Sequence, residues 1–120
     1  SSDLSPLYVQ LSDGHIRNNY TLKLRNMETR PRAVEVTVSG LKDAALWTEE
    51  GSRDKAAQRI TLTLAPDSVT RVKLFVAAPA AGAARQDFTI ATRGLDGDPR
   101  GDSETIQFDR PPADNQEPGQ

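Results

Sequence analysis

The chain has 120 residues, of which 36% are hydrophobic and 27% are charged, and its formal net charge is −2. This length fits one domain with a single core, and neither charge is gathered into the long blocks that indicate binding to nucleic acid or an anionic membrane. The absence of cysteine excludes a disulfide, an iron–sulfur cluster and a thiolate zinc site within the chain.

Two runs of alternating polar and apolar residues open the chain, at residues 7–11 and 19–25. A period of two is typical of half-buried strands, so the first run predicts a strand with Val9 inward and Tyr8 outward. A polar segment separates the runs, and Gly14 at its centre favours a tight turn because glycine accepts positive φ.

The same alternation continues to residue 108. Further strands are predicted at Arg32–Ser39, Ala45–Thr48 and Arg59–Leu64, and at residues 69–78, 86–93 and 103–108. Residues 41–58 are ambiguous because they also contain short stretches with helical propensity, and a short irregular strand with Leu46 inward is favoured there.

Short strands separated by turn residues every 8 to 12 positions are typical of a sandwich fold. The sequence therefore predicts an all-β protein, an immunoglobulin-like antiparallel β-sandwich of seven to eight strands without a disulfide. The sandwich is expected to occupy residues 6–109. Residues 1–5 would be a flexible lead-in, and residues 110–120, rich in proline and polar residues, would be a disordered tail with nothing to bury.

Catalytic and metal sites have little support in this composition. His15 is the only histidine and Met27 the only methionine, so no nucleophile–histidine–acid set can form, and the pair is at most a weak candidate for copper. A run of carboxylates at residues 96–104 lacks the ligand order of a calcium loop, which favours a solvated loop.

The segment before the second strand is the first place to look for a binding surface. It is more polar than a minimal hairpin requires, and its candidate partner-binding residues are Asp13, His15, Arg17 and Asn18. Exposed loops commonly carry binding residues on a rigid scaffold. An exposed sheet edge that accepts a partner's strand is the alternative.

One long stretch carries a family resemblance. Residues 6–23, PLYVQLSDGHIRNNYTLK, resemble the opening of the C-terminal immunoglobulin-like domain of the FixG family, the accessory proteins of cbb3-type cytochrome c oxidase assembly. The resemblance continues through Asn26, Pro31, Arg32 and residues 34–41, 66–69 and 71–76, and covers about residues 6–108.

The resemblance implies a parent protein in the bacterial inner membrane with iron–sulfur clusters in a separate region, which assists copper supply to the oxidase. No cofactor is expected in this chain itself. This domain would face the periplasm as a non-catalytic interaction or scaffold domain, with oxidase-assembly or copper-handling proteins as partners and no nucleic acid.

Two alternative functions remain open from the residues. A direct copper-binding module would use His15 and Met27 as ligands. An extracellular adhesion or carbohydrate-binding sandwich is disfavoured because one Trp and two Tyr leave few side chains to stack on sugars. No apolar run reaches the roughly 20 residues of a membrane helix and no signal peptide is evident, so the chain would be cytosolic or an excised piece of a larger protein.

Overall fold

A computed structural model describes residues 8–49, 57–96 and 101–111. These residues form eight strands and no helix, so none of the described segments could cross a membrane as a helix. The strands are β1 (Tyr8–Gln10), β2 (Ile16–Asn26), β3 (Arg32–Ser39), β4 (Ala45–Thr48), β5 (Arg59–Leu64), β6 (Ser68–Ala78), β7 (Arg85–Gly94) and β8 (Gly101–Asp109).

The strands form two antiparallel sheets that pack face to face. The first sheet has the order β1-β2-β6-β4 and the second the order β5-β3-β7-β8. The predicted all-β antiparallel sandwich is therefore confirmed, with eight strands. Consecutive strands repeatedly change sheets, so residues far apart in sequence meet across the core.

The core lies between the two sheets and is built from the inward side of each alternating strand. Ile16, Leu74 and Val76 from the first sheet and Val36 and Phe108 from the second are all 0% exposed. Phe88 packs edge-on against Phe108, with 6.2 Å between ring centroids. Aliphatic and aromatic packing thus replaces the disulfide found in some sandwich domains.

Strand positions agree with the alternation in the sequence. β3, β4 and β5 have the predicted bounds, and the other long strands extend past the predicted ends by one to three residues. The inward residues of β6 and β7 are also those predicted, because period-two burial is a local property of the chain. Residues 1–5 and 112–120, and the turn predicted at residues 50–52, lie outside the described residues.

The predicted faces of β1 are wrong. Tyr8 packs against the core, whereas Val9 is 43% exposed. The pairing with β2 explains the inversion, since Tyr8 lies opposite Asn18 and Val9 opposite Arg17. Directly opposed residues share a sheet face, so the inward side of β2 decides which residue of β1 is buried.

The beginning of β2 and the end of the domain also differ from prediction. β2 starts at Ile16, so residues 16–18 belong to a strand and the turn before it shortens to residues 11–15. At the other end Arg110 is only 5% exposed, which makes the prediction that nothing from residue 110 onward is buried wrong at Arg110 itself. In both places the fold buries a polar residue, Asn18 in β2 and Arg110 after β8.

Core packing gives a direct test of the strand faces. Val36→Ala removes two methyl groups from a fully buried site and is expected to lower the free energy of unfolding by about 2 kcal/mol, from lost apolar burial and the cavity left behind. Urea unfolding measures the change. The matched control is Val69→Ala at a position 49% exposed, where a change below about 0.5 kcal/mol is expected. Equal effects at both sites would contradict the assignment of faces.

Candidate functional site

The turn between β1 and β2 is closed by its own backbone and by one carboxylate. Leu11 donates its N–H to the His15 carbonyl at 2.8 Å, and Gly14, with φ of 91°, donates to the Leu11 carbonyl at 2.9 Å. The Asp13 Oδ1 atom accepts the His15 N–H at 3.0 Å and lies 3.2 Å from His15 Nδ1. The structure therefore brings Asp13 and His15 together at the surface, where they stabilise the turn.

Arg17 lies on the outer surface of the first sheet and packs against an aromatic pair. Its guanidinium carbon is 4.7 Å from the centroid of the Phe75 ring, and Phe75 lies 5.6 Å from Trp47. The Nε atom of Arg17 is buried and has no hydrogen-bond partner. Packing against Phe75 draws this side chain onto the sheet and away from the turn.

Asn18 points in the opposite direction, into the protein. It is 1% exposed, donates Nδ2–H to the Asp109 carbonyl at 2.9 Å and accepts the Asp109 N–H through Oδ1 at 2.9 Å. Tyr20 extends this contact, since its hydroxyl donates to the Gln107 carbonyl at 2.7 Å and lies 3.3 Å from Asn18 Oδ1. Burial, with a smaller effect of the Asp109 charge, raises the pKa of Tyr20 well above its usual range.

These side chains form a β2–β8 seam, which joins the two sheets through the side chains of Asn18 and Tyr20 and the backbone of β8. Of the four residues predicted to bind a partner, Asp13 and His15 remain together at the turn. Arg17 and Asn18 lie on opposite faces of β2, because neighbouring residues of a strand point to opposite faces. The four residues therefore do not form one surface.

The two copper candidates are far apart. His15 immediately precedes β2 and Met27 immediately follows it, which separates them by roughly 40 Å at about 3.3 Å per strand residue. They cannot bind one ion together. The described residues also contain no group of three or more His, Cys, Asp or Glu side chains that could hold a metal ion.

Asp96 is the described member of the carboxylate run that precedes β8, and it is occupied by arginines. Its Oδ1 accepts a hydrogen bond from Arg32 Nε at 2.9 Å, and Oδ2 lies 3.5 Å from Arg30 Nη1. The hydrogen bond from Arg32 is the largest of the causes that lower the pKa of Asp96. This carboxylate fixes the loop to the start of β3, whereas Asp98 lies outside the described residues.

β8 forms one edge of the second sheet, and among the described strands only β7 pairs with it. The backbone groups of Gln107 and Asp109 point away from β7, because they bind Tyr20 and Asn18 in the β2–β8 seam. Alternate residues of an antiparallel strand direct their backbone groups to the same side, so those of Ser103 and Thr105 point away from β7 as well. Within the described residues, no strand pairs with β8 on that side.

We define residues 101–105 as the open β8 edge. Its inward side carries Asp102 and Glu104, which continue the side occupied by Phe108 but are exposed. Charged residues on the inward side are a common way to keep a free edge from aggregating. A cleft of about 520 Å³ opens beside the edge, lined by residues of β2, β3, β7 and β8 that include Leu24, Val34 and Asp102.

The sequence pattern did not reveal this edge, because edge position depends on sheet order and on the side chains of β2. Residues 102–105 are polar on both faces of the strand. This is unusual for a strand between two neighbours and could have indicated an edge strand.

Comparison with known families decides the identity of the domain. The family model described as "IG-like fold at C-terminal of FixG" matches residues 2–111. The chain belongs to this FixG C-terminal family. The predicted resemblance and the immunoglobulin-like class of the sandwich are thereby confirmed. The description of the family proposes an oxidoreductase function, and it does so for the parent protein.

The curated relatives that the chain matches are longer proteins. The chain is 38% identical over 77 residues to the nitrogen fixation protein FixG of Rhizobium meliloti, covering 64% of this chain and 14% of that protein. It is 34% identical over 104 residues to the protein RdxB of Cereibacter sphaeroides, covering 85% of this chain and 21% of that protein. The FixG-family domain thus spans about a fifth or less of these relatives.

A solved structure supports the fold. The crystal structure of a FixG-related protein from Vibrio parahaemolyticus aligns over 82% of each chain with a TM-score of 0.65, at 18% sequence identity. At this level of identity the likeness concerns the fold, and any function must be argued from the residues of this domain.

Proposed function

We propose that this FixG-family domain is a non-catalytic interaction or scaffold domain of a membrane-bound iron–sulfur protein. The domain faces the periplasm, and the parent assists copper delivery and assembly of a cbb3-type cytochrome c oxidase. Membership of the family supports a role within a FixG-like parent. Iron–sulfur clusters and redox chemistry belong to the remainder of the parent, since the cysteine-free sequence of this domain offers no cluster ligands.

The open β8 edge is the observation that supports an interaction role. Backbone groups of Ser103 and Thr105 face away from β7 in a strand with only one neighbour among the described residues. An extended segment of a partner can add to such an edge through main-chain hydrogen bonds. The turn before β2 is the weaker choice, because Arg17 and Asn18 are engaged in the fold.

The side chains of the edge indicate which segment fits. Residues that lie directly opposite each other in paired strands share a face, and opposite charges stabilise such pairs. Asp102 and Glu104 occupy one face of β8, whereas Ser103 and Thr105 occupy the other. The partner is therefore an extended segment of an oxidase-assembly or copper-handling protein, with cationic residues at alternate positions.

Ser103→Pro tests the edge without disturbing the β7–β8 ladder. The Ser103 N–H points away from β7, so proline removes a donor from the open edge and no hydrogen bond from the sheet. We expect the full-length parent with this change to lose association with the oxidase-assembly complex by at least tenfold in co-purification. The yield of active oxidase should fall with it.

Ser103→Ala is the matched control, since it removes the same hydroxyl and keeps the N–H. Association at the level of the unmodified parent is expected for this variant, and urea unfolding of Ser103→Pro should confirm that the sandwich is intact. Undiminished association in a folded Ser103→Pro variant would exclude strand addition at this edge. Normal oxidase assembly by a parent that lacks the whole domain would exclude the scaffold function.

A further inference from the structure

Basic residues that are spread along the sequence lie together on the outer surface of the first sheet. In β2 and β6 the residues with odd numbers point outward, opposite the buried even-numbered set. Lys23 lies directly opposite Arg71, Arg25 lies opposite Val69, and Lys73 lies opposite Thr21. We define the cationic face by its four exposed basic residues, Lys23, Arg25, Arg71 and Lys73.

Within the part of the chain that the structure describes, none of these four cations forms an ion pair with a carboxylate. Most other cations in the described residues are occupied: five arginines form ion pairs, Arg110 binds carbonyl oxygens and Arg17 packs on Phe75. Five described cations are left without such contacts, and four of them make up the cationic face, the fifth being Lys42. Two exposed acidic residues border the face: Glu49 donates its N–H to the Lys73 carbonyl at 3.3 Å, and Asp67 lies two residues before Val69.

The four positive charges repel one another when nothing is bound to the face. Neighbouring strands are about 4.8 Å apart and alternate residues of one strand about 7 Å apart, so the four charges lie within a small area. Lys23 and Arg71 are directly opposed, and like charges in that position are destabilising. An external anion would relieve this repulsion.

Exposed apolar side chains adjoin the charges. Val69 is 49% exposed and lies beside Arg25, and Met27, two residues beyond Arg25 at the end of β2, is 75% exposed. Flat basic surfaces bordered by exposed apolar side chains match the interface of an anionic bilayer, where cations meet lipid phosphates and apolar groups enter the headgroup region. The four cations outnumber the two exposed acidic residues at the border of the face, Glu49 and Asp67.

We infer that the cationic face binds the surface of an anionic phospholipid membrane, with Val69 and Met27 entering the headgroup region. This would orient the outer surface of the first sheet toward the bilayer. The inference rests on the charge and exposure of the described residues and is independent of the proposed oxidase role.

Sedimentation with phospholipid vesicles tests this inference with the 120-residue chain. Binding is expected to vesicles that contain phosphatidylglycerol and not to vesicles of phosphatidylcholine alone. It should weaken as the salt concentration rises from about 10 mM to about 100 mM, because the screening length falls from about 30 Å to about 10 Å. Soluble glycerol phosphate at millimolar concentration should not compete, since a single phosphate offers no surface.

Lys23→Glu with Arg71→Glu should reduce the vesicle partition coefficient at least tenfold. The control is Lys42→Glu with Arg59→Glu, which makes the same charge change at exposed positions outside the face and should retain most of the binding. Val69→Ser with Met27→Ser should reduce binding severalfold while leaving adsorption to soluble polyglutamate unchanged.

Three outcomes would overturn the inference. The first is that the chain does not bind anionic vesicles at low salt. The second is that the face variant and the control variant lose binding equally. The third is that the chain binds polyglutamate as strongly as vesicles and that Val69→Ser with Met27→Ser has no effect. The last result would assign the face to an acidic protein segment.

Discussion

Arg110→Ala is expected to lower the free energy of unfolding by about 3 kcal/mol. Arg110 is 5% exposed, and its Nε donates to the Pro79 carbonyl at 2.9 Å. Its Nη1 donates to the Ala83 carbonyl at 2.9 Å and to Gln86 Oε1 at 2.8 Å. These contacts hold the β6–β7 connection against the end of β8, so alanine would leave three partly buried acceptors without this donor.

The surroundings of Arg110 are shaped around a planar cation. Its guanidinium carbon lies 5.1 Å from the centroid of the Phe108 ring. A Cβ atom at Gly82 would lie only 2.7 Å from the same guanidinium carbon. Burial lowers the pKa of Arg110, although arginine stays charged in proteins at any ordinary pH. The charge is compensated by neutral oxygens and the aromatic ring, and the planar donor geometry cannot be supplied by lysine.

Urea unfolding of Arg110→Ala and Arg110→Lys measures this contribution, and both should be clearly destabilised. Arg85→Ala is the matched control, because its side chain is 69% exposed and its ion pair with Asp109 is long, at 3.5 Å. A change below about 0.5 kcal/mol is expected there. If Arg110→Ala were no more destabilising than Arg85→Ala, the buried contacts of Arg110 would have no structural role.

Sequence reasoning succeeded where the information is local. β3 and β5 have their predicted bounds, since alternation of valine, isoleucine and leucine with polar residues specifies both a strand and its buried side. Residues 6–23 also identified the family, which the match over residues 2–111 confirms. Neither result required knowledge of the strand order.

The predictions that failed depend on contacts between distant segments. Arg110 precedes two prolines and a polar stretch, which resembles a tail until its carbonyl partners from residues 79–84 are known. The faces of β1 follow from its register with β2. The cationic face arises because β2 and β6, nearly 50 positions apart at Lys23 and Arg71, pair in one register. Composition and periodicity contain no record of such pairings.

The revised role of Asn18 leads to the second large prediction. Asn18→Asp is expected to destabilise the protein by about 4 kcal/mol at pH 7, because a carboxylate cannot donate to the Asp109 carbonyl and would be a buried charge without a cation. The amide makes two hydrogen bonds of 2.9 Å to the Asp109 backbone. Gln10→Glu, the same amide-to-acid change at an exposed position of β1, should alter stability by less than about 0.5 kcal/mol.

The pH dependence of Asn18→Asp separates a structural role from partner binding. Burial would raise the pKa of the introduced carboxyl above its unfolded value of about 3.9. The loss of stability relative to the parent chain should therefore be small below about pH 4, where a protonated carboxyl can donate to the Asp109 carbonyl, and should grow as the pH rises through the folded pKa. Urea unfolding of both proteins at about pH 4 and about pH 8 measures this difference. A residue that served only to bind a partner would leave stability unchanged at both values, because its amide would contribute nothing to the seam between β2 and β8.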